Sequence, residues 1–75
     1  MKYIVAVNAV GDDGDVKEGT EEEFRDNPNA CQAFLKAVAL AKSHGVLDHK
    51  RIRVELSVWK GDLQLGIINS EDVTR

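Results

Sequence analysis

Alternating apolar and polar residues over positions 51–67 constrain the fold of this chain more than any other feature. Apolar residues occupy every second position on both sides of Lys60-Gly61, which is the period at which successive side chains of a β-strand reach opposite faces. A two-residue turn at Lys60-Gly61 sets Val58 opposite Leu63, Leu56 opposite Leu65 and Val54 opposite Ile67. The pattern predicts a hairpin that buries one face. The open face then carries Arg51, Arg53, Glu55, Ser57, Trp59, Gln64 and Ile68.

The N-terminal half adds one strand and one helix. Lys2–Val10 is rich in β-branched residues and has apolar side chains on both faces, which is typical of a central strand. The Gly and Asp residues of 11–15 then indicate a turn. Apolar residues at helical spacing predict a helix from Pro28 to about His44, with Asn27 as the N-cap and Gly45 as the stop.

An acidic segment, Asp12–Asp26, joins the first strand to the helix. It holds eight acidic residues against Lys17 and Arg25, whereas the whole chain has a net charge of −3. Thr20 followed by Glu23 fits a capping box, and Pro28 stops a helix from running straight on. We therefore predict an acidic loop over 12–27 with a short helical turn. Its acids are Asp12, Asp13, Asp15, Glu18, Glu21, Glu22, Glu23 and Asp26.

These elements predict an α+β fold of order β-α-β-β, in which one main helix packs on one face of a three-stranded sheet. The place of the first strand, beside the second or beside the third, stays open. Residues 1–75 suffice for a single small domain. A domain of this size buries only about 60% of its unfolded surface, so association with another chain adds stability.

Patterns for catalysis and metal binding are weak throughout the chain. An EF-hand loop that begins at Asp13 puts Lys17 at the fifth position, where an oxygen ligand is needed. Cys31 and His44 lie about 20 Å apart along the predicted helix, and His49 is in a loop. Cys31 falls on the apolar stripe without a paired base, so we interpret it as a structural thiol. We predict a protein that is not an enzyme and uses no cofactor or metal.

Two surfaces remain as candidates for binding another protein. One is the acidic segment, and the other is the open sheet face with Trp59, Arg51 and Arg53, since Trp and Arg are enriched at interface hot spots. We expect a small, non-catalytic interaction module of accessory or inhibitor type, as in phage and mobile elements, that binds a larger protein. A homodimer fits the same features.

Two alternatives stay open. Nucleic acid would stack on Trp59 beside Arg51, Arg53 and Lys60, although a pI near 5.2 disfavours this. An oligomeric enzyme subunit could hold a site between copies. Uncharged runs far shorter than about 20 residues, no signal-peptide pattern and a single cysteine predict a cytoplasmic protein that does not associate with membranes.

Overall fold

A four-stranded antiparallel sheet with one helix on one face forms the described chain, which comprises residues 1–43 and 51–74 of a computed structural model. The elements are β1 (Lys2–Val10), β2 (Val16–Phe24), α1 (Asn27–Ser43), β3 (Arg51–Lys60) and β4 (Leu63–Thr74). The strand order is β2-β1-β3-β4. The α+β class is confirmed. The predicted β-α-β-β order is wrong, because the sheet has a fourth strand.

The additional strand is β2, and it occupies the region predicted to be an acidic loop with a helical turn. β2 pairs with β1 from Tyr3 opposite Phe24 to Ala9 opposite Glu18, so the capping box at Thr20 does not form. The central strand β1 has backbone donors and acceptors on both edges, and β2 satisfies one of these edges. This pairing overrides the poor β-propensity of glutamate.

The β1–β2 hairpin closes through the predicted turn. The Gly14 amide donates to the Gly11 carbonyl at 2.9 Å, and the Gly11 amide donates to the Asp15 carbonyl at 2.9 Å. Gly14 has a φ of 86°, which fits a type I turn followed by a left-handed glycine. The turn therefore reverses the chain and returns it alongside β1.

The β3–β4 hairpin differs from the predicted register. Its turn is Gly61-Asp62, since Lys60 pairs with Leu63, and the φ of 61° at Gly61 suits the first central position of a type II′ turn. Two bulges then shift the pairing. The predicted apolar pairs are wrong: the observed ones are Val58 opposite Gly66, Leu56 opposite Asn69 and Val54 opposite Glu71.

The core lies between α1 and the face of the sheet that the helix covers. Phe34 is 2% exposed and is the largest of the fully buried side chains. The helix begins one residue before the predicted start: Asp26 Oδ1 accepts a hydrogen bond from the Asn29 amide at 2.8 Å, so Asp26 rather than Asn27 is the N-cap. The predicted end at His44 and the stop at Gly45 lie outside the described residues. The core residues from α1 are Ala30, Phe34, Val38 and Ala41, and those from the sheet are Val5, Val7, Ile52, Val54, Leu56 and Val73.

Candidate functional site

The single helix leaves the second face of the sheet and both of its edges without a covering element in the described chain. The shortest dimension of the molecule is 15 Å, as expected for one helix layer on one sheet layer. Strand β2 forms one edge and β4 the other. The part of the acidic segment that forms β2 therefore borders the open face.

The edge strand β2 carries glutamates on both of its faces. Glu21 lies opposite Ala6 and Glu23 opposite Ile4, which places them on the open face. Glu22 lies opposite Val5, a core residue, and so faces the helix side. All of β2 is exposed except the half-buried Phe24. We call this strand the acidic edge.

The eight acids of the predicted segment have different local roles. The pKa of Asp13 lies below its ordinary value, because its carboxylate accepts a hydrogen bond from the Asp15 amide at 3.0 Å and from Lys17 Nζ at 3.0 Å. Asp26 caps α1. Asp12 and Asp15 are exposed in the hairpin loop.

The remaining acids belong to the acidic edge. Glu23 pairs with Lys2 at 3.2 Å, whereas the side chains of Glu21 and Glu22 form no hydrogen bond or ion pair with the rest of the described chain. Exposed carboxylates without internal partners are the ones that can bind a cationic partner without first breaking a bond.

The predicted cations of the open face do not gather around Trp59. Arg51, Arg53 and Trp59 share this face of β3, but strand rise separates Trp59 from Arg53 by about 20 Å and from Arg51 by about 27 Å. Arg53 Nε bonds to Asp72 Oδ1 at 2.8 Å, and this bond together with the charge of Asp72 raises the pKa of Arg53. Glu55 lies between them on the same face. Lys60, which is exposed, follows Trp59 in β3, and Lys2 of β1 lies opposite Trp59 in the sheet.

Trp59 is held down against the sheet. Its Nε1 donates to Ser57 Oγ at 2.8 Å, and the Ser57 hydroxyl donates to the Ile4 carbonyl at 3.4 Å. Ser57 is only 7% exposed although it belongs to the open face. Trp59 is half-buried, so part of its surface is already used inside the protein.

Two surface features could not be seen in the sequence. A groove of about 280 Å³ lies where β1 begins and β2 ends, and is lined by Met1, Lys2, Glu23, Phe24 and Arg25. It exists only because β2 pairs with β1. The second feature is an apolar stretch of β4. Leu63, Leu65, Ile67 and Ile68 are 65%, 48%, 52% and 47% exposed, whereas alternation assigned the first three to the core.

Cys31 is half-buried, and its thiol donates to Asn27 Oδ1 at 2.9 Å. Within residues 1–43 and 51–74, no three His, Cys, Asp or Glu side chains lie close enough together to hold a metal ion. His44 and His49 lie outside the described residues.

No helix of the described chain is long and apolar enough to cross a membrane. Comparison with known protein families, with curated proteins and with solved structures found no match to this chain.

Proposed function

We propose that this chain is a non-catalytic interaction module, acting in the cytoplasm, that binds a basic extended segment of a larger protein along the acidic edge. The observation that carries the proposal is an exposed edge strand with glutamates on both faces. The outer backbone groups of an edge strand can pair with an added strand, and side chains then select the sequence of that strand.

The charge of the acidic edge favours a basic partner over a second copy of the same strand. Antiparallel self-pairing of β2 centred anywhere from Thr20 to Glu22 sets at least one glutamate directly opposite another. Like charges directly opposite each other destabilise a strand pair, whereas each opposite-charge pair contributes roughly 0.2–1 kcal/mol. Pairing with a segment rich in Lys or Arg is therefore stabilised at the positions where pairing with a second β2 is destabilised.

The groove at the end of β2 supports selection of one anchoring side chain. Phe24 and Met1 contribute apolar atoms to its lining, and Glu23 and Arg25 contribute charged groups. A strand added to β2 would pass this groove as it left the sheet. Binding of this kind suits an accessory or inhibitory protein that occupies a basic segment of its target.

The nucleic-acid alternative has less support. The open face alternates in charge, because Glu55 and Asp72 accompany Arg53 and the acidic edge adds Glu21 and Glu23. A phosphate backbone requires clustered cations. Neither the described geometry nor the comparisons favour the third alternative, an enzyme subunit with a shared site.

The proposal is tested by charge reversal at single positions. Wild type, Glu21→Lys, Glu22→Lys and the control Asp62→Lys are immobilised and exposed to nuclease-treated lysate, and the binding site is mapped by cross-linking. Asp62 is an exposed acid in the opposite hairpin, so the control makes the same charge change away from β2. We expect a partner that is retained by wild type and the control, is lost by both edge variants, and cross-links to β2 through a basic segment.

Direct binding is then measured with a synthetic peptide of the captured segment. We expect the edge variants to weaken binding at least about tenfold relative to the control. Equal binding by all four proteins would exclude the acidic edge. If a partner is retained from untreated lysate but not from nuclease-treated lysate, the result would instead favour binding to nucleic acid.

A further inference from the structure

The outer edge of β4 differs from the acidic edge in charge and in apolar content. Residues 63–70 contain no charged side chain, and four large apolar residues of this stretch are about half exposed or more. We propose that two copies of the chain pair through β4, antiparallel about a two-fold axis, and so form one continuous eight-stranded sheet. This proposal does not depend on the acidic edge binding a partner.

Charge permits β4 to pair with itself. The acids of β4 are Glu71 and Asp72, and each has a partner in its own chain: Lys42 Nζ lies 3.5 Å from Glu71, and Arg53 Nε lies 2.8 Å from Asp72. A two-fold axis between Ile67 and Ile68 sets the uncharged residues 65–70 of the two copies beside each other and leaves Glu71 and Asp72 outside this stretch. No acid then faces another acid across the pair, in contrast to the pairing of β2 with itself.

The same axis brings the exposed apolar residues together. Ile67 of one copy lies opposite Ile68 of the other, with Leu65 nearby on both. Together the four exposed apolar side chains offer roughly 250 Å² per copy, taking about 120 Å² for a fully exposed Leu or Ile side chain. Standard interfaces bury about 800 Å² per partner. The paired backbone and flanking polar residues must supply the rest, so we expect a weak, concentration-dependent dimer.

Pairing of β4 with β4 also closes the assembly. Pairing of β4 with β2 of another copy would be head-to-tail and would continue into an open chain of molecules, with the glutamates of β2 placed at each junction. In the β4–β4 dimer, the two acidic edges lie at the far ends of the sheet. Seven strand spacings separate them, about 34 Å, and both stay accessible.

Sedimentation equilibrium of the full chain from about 1 µM to 1 mM tests the proposal across the range of weak affinities. We expect the mass to rise from 8.3 kDa towards twice that value. Ile67→Lys should raise the dissociation constant at least about tenfold, because it brings two like charges to the axis. The matched control is Leu35→Lys on α1, where the wild-type side chain is 67% exposed; it should associate like wild type.

Amide exchange locates the interface independently. At high concentration we expect added protection of those β4 amides that do not bond to β3, and unchanged exchange along β2. A monomer at every concentration would overturn the proposal, and so would equal dissociation constants for wild type and Ile67→Lys. Loss of the dimer in Leu35→Lys would move the interface to the helix. Since Glu21→Lys leaves β4 intact, its dimer should match wild type even if partner binding at the acidic edge fails.

Discussion

Two glycines of the sheet should respond in opposite directions to the same substitution. Gly19 lies in β2 and Gly66 in β4, and neither has a positive φ, so alanine suits the backbone at both. A Cβ at Gly19 would lie 2.9 Å from the Val7 carbonyl oxygen and would also meet the Asn8 side-chain oxygen. A Cβ at Gly66 would meet nothing within 4 Å.

The size of the effect follows from this difference. Replacement of glycine by alanine at a compatible site stabilises by about 0.4–1 kcal/mol, because the unfolded chain loses freedom. Gly66→Ala should show this gain alone. At Gly19 this gain is opposed by overpacking, which costs about 1–3 kcal/mol. We expect a cost in the lower half of that range, because β2 is an edge strand and can shift. We expect the variants to differ by about 1.5 kcal/mol, or about 6–12 °C in Tm for a domain of this size.

Urea unfolding followed by Trp59 fluorescence measures both variants, since Trp59 is the sole tryptophan, and circular dichroism checks the thermal midpoints. Asn8→Ala supplies the double-mutant test: with Asn8 truncated, the cost of Gly19→Ala should fall to what the Val7 contact imposes. Equal stability of Gly19→Ala and Gly66→Ala would refute the packing argument, and additivity in the Asn8 cycle would refute the role of the Asn8 side chain.

Three further predictions concern the core, the helix cap and pH. Phe34→Ala should cost about 3–5 kcal/mol of a total near 4–11 kcal/mol, which urea unfolding would register as a large fall in midpoint. Asp26→Ala should lower stability by about 1 kcal/mol through loss of the cap, whereas Asn27→Ala, the residue predicted from sequence, should change it less. The lowered pKa of Asp13 adds stability above the unfolded-state pKa and loses it as pH falls through the folded-state pKa. The advantage of wild type over Asp13→Asn should therefore hold down to about pH 4 and shrink below it; an advantage that does not change as the pH is lowered below 4 would contradict this.

Local pattern alone was enough for β1, α1 and β3. Alternation and composition gave the bounds Lys2–Val10 correctly, and the helical stripe placed the start of α1 within one residue. The local sequence could not decide whether Asp26 or Asn27 is the N-cap, because both residue types cap helices well. The position at which β2 ends decides which of the two precedes the first turn of α1. The separation of Arg51 from Trp59 was open to prediction, since eight positions of extended strand fix the distance.

Strand β2 could not be predicted from its own residues. Its apolar side chains are Val16 and Phe24 alone, too few to show a period, and its glutamates resemble the first turn of a helix. The Asp-Gly pair at Asp13-Gly14 was the available signal, because such a pair after a strand is typical of a hairpin. That signal gains meaning only when β1 is central and needs a neighbour on each edge.

The sequence by itself determined that a helix packs on a sheet, because the 3.6- and 2-residue periods are properties of each segment alone. Tertiary structure decided which strands are edges, where β4 bulges, and which apolar residues stay outside. The turn at Gly61-Asp62 moves Leu63 out of its predicted pair, and the two bulges between β3 and β4 shift Leu65 and Ile67 further, so that Val73 lies opposite Ile52 and is buried. Pairing with β1 likewise turned an acidic stretch into an edge strand. Both outcomes depend on backbone hydrogen bonds between segments distant in sequence, and no local period records such bonds.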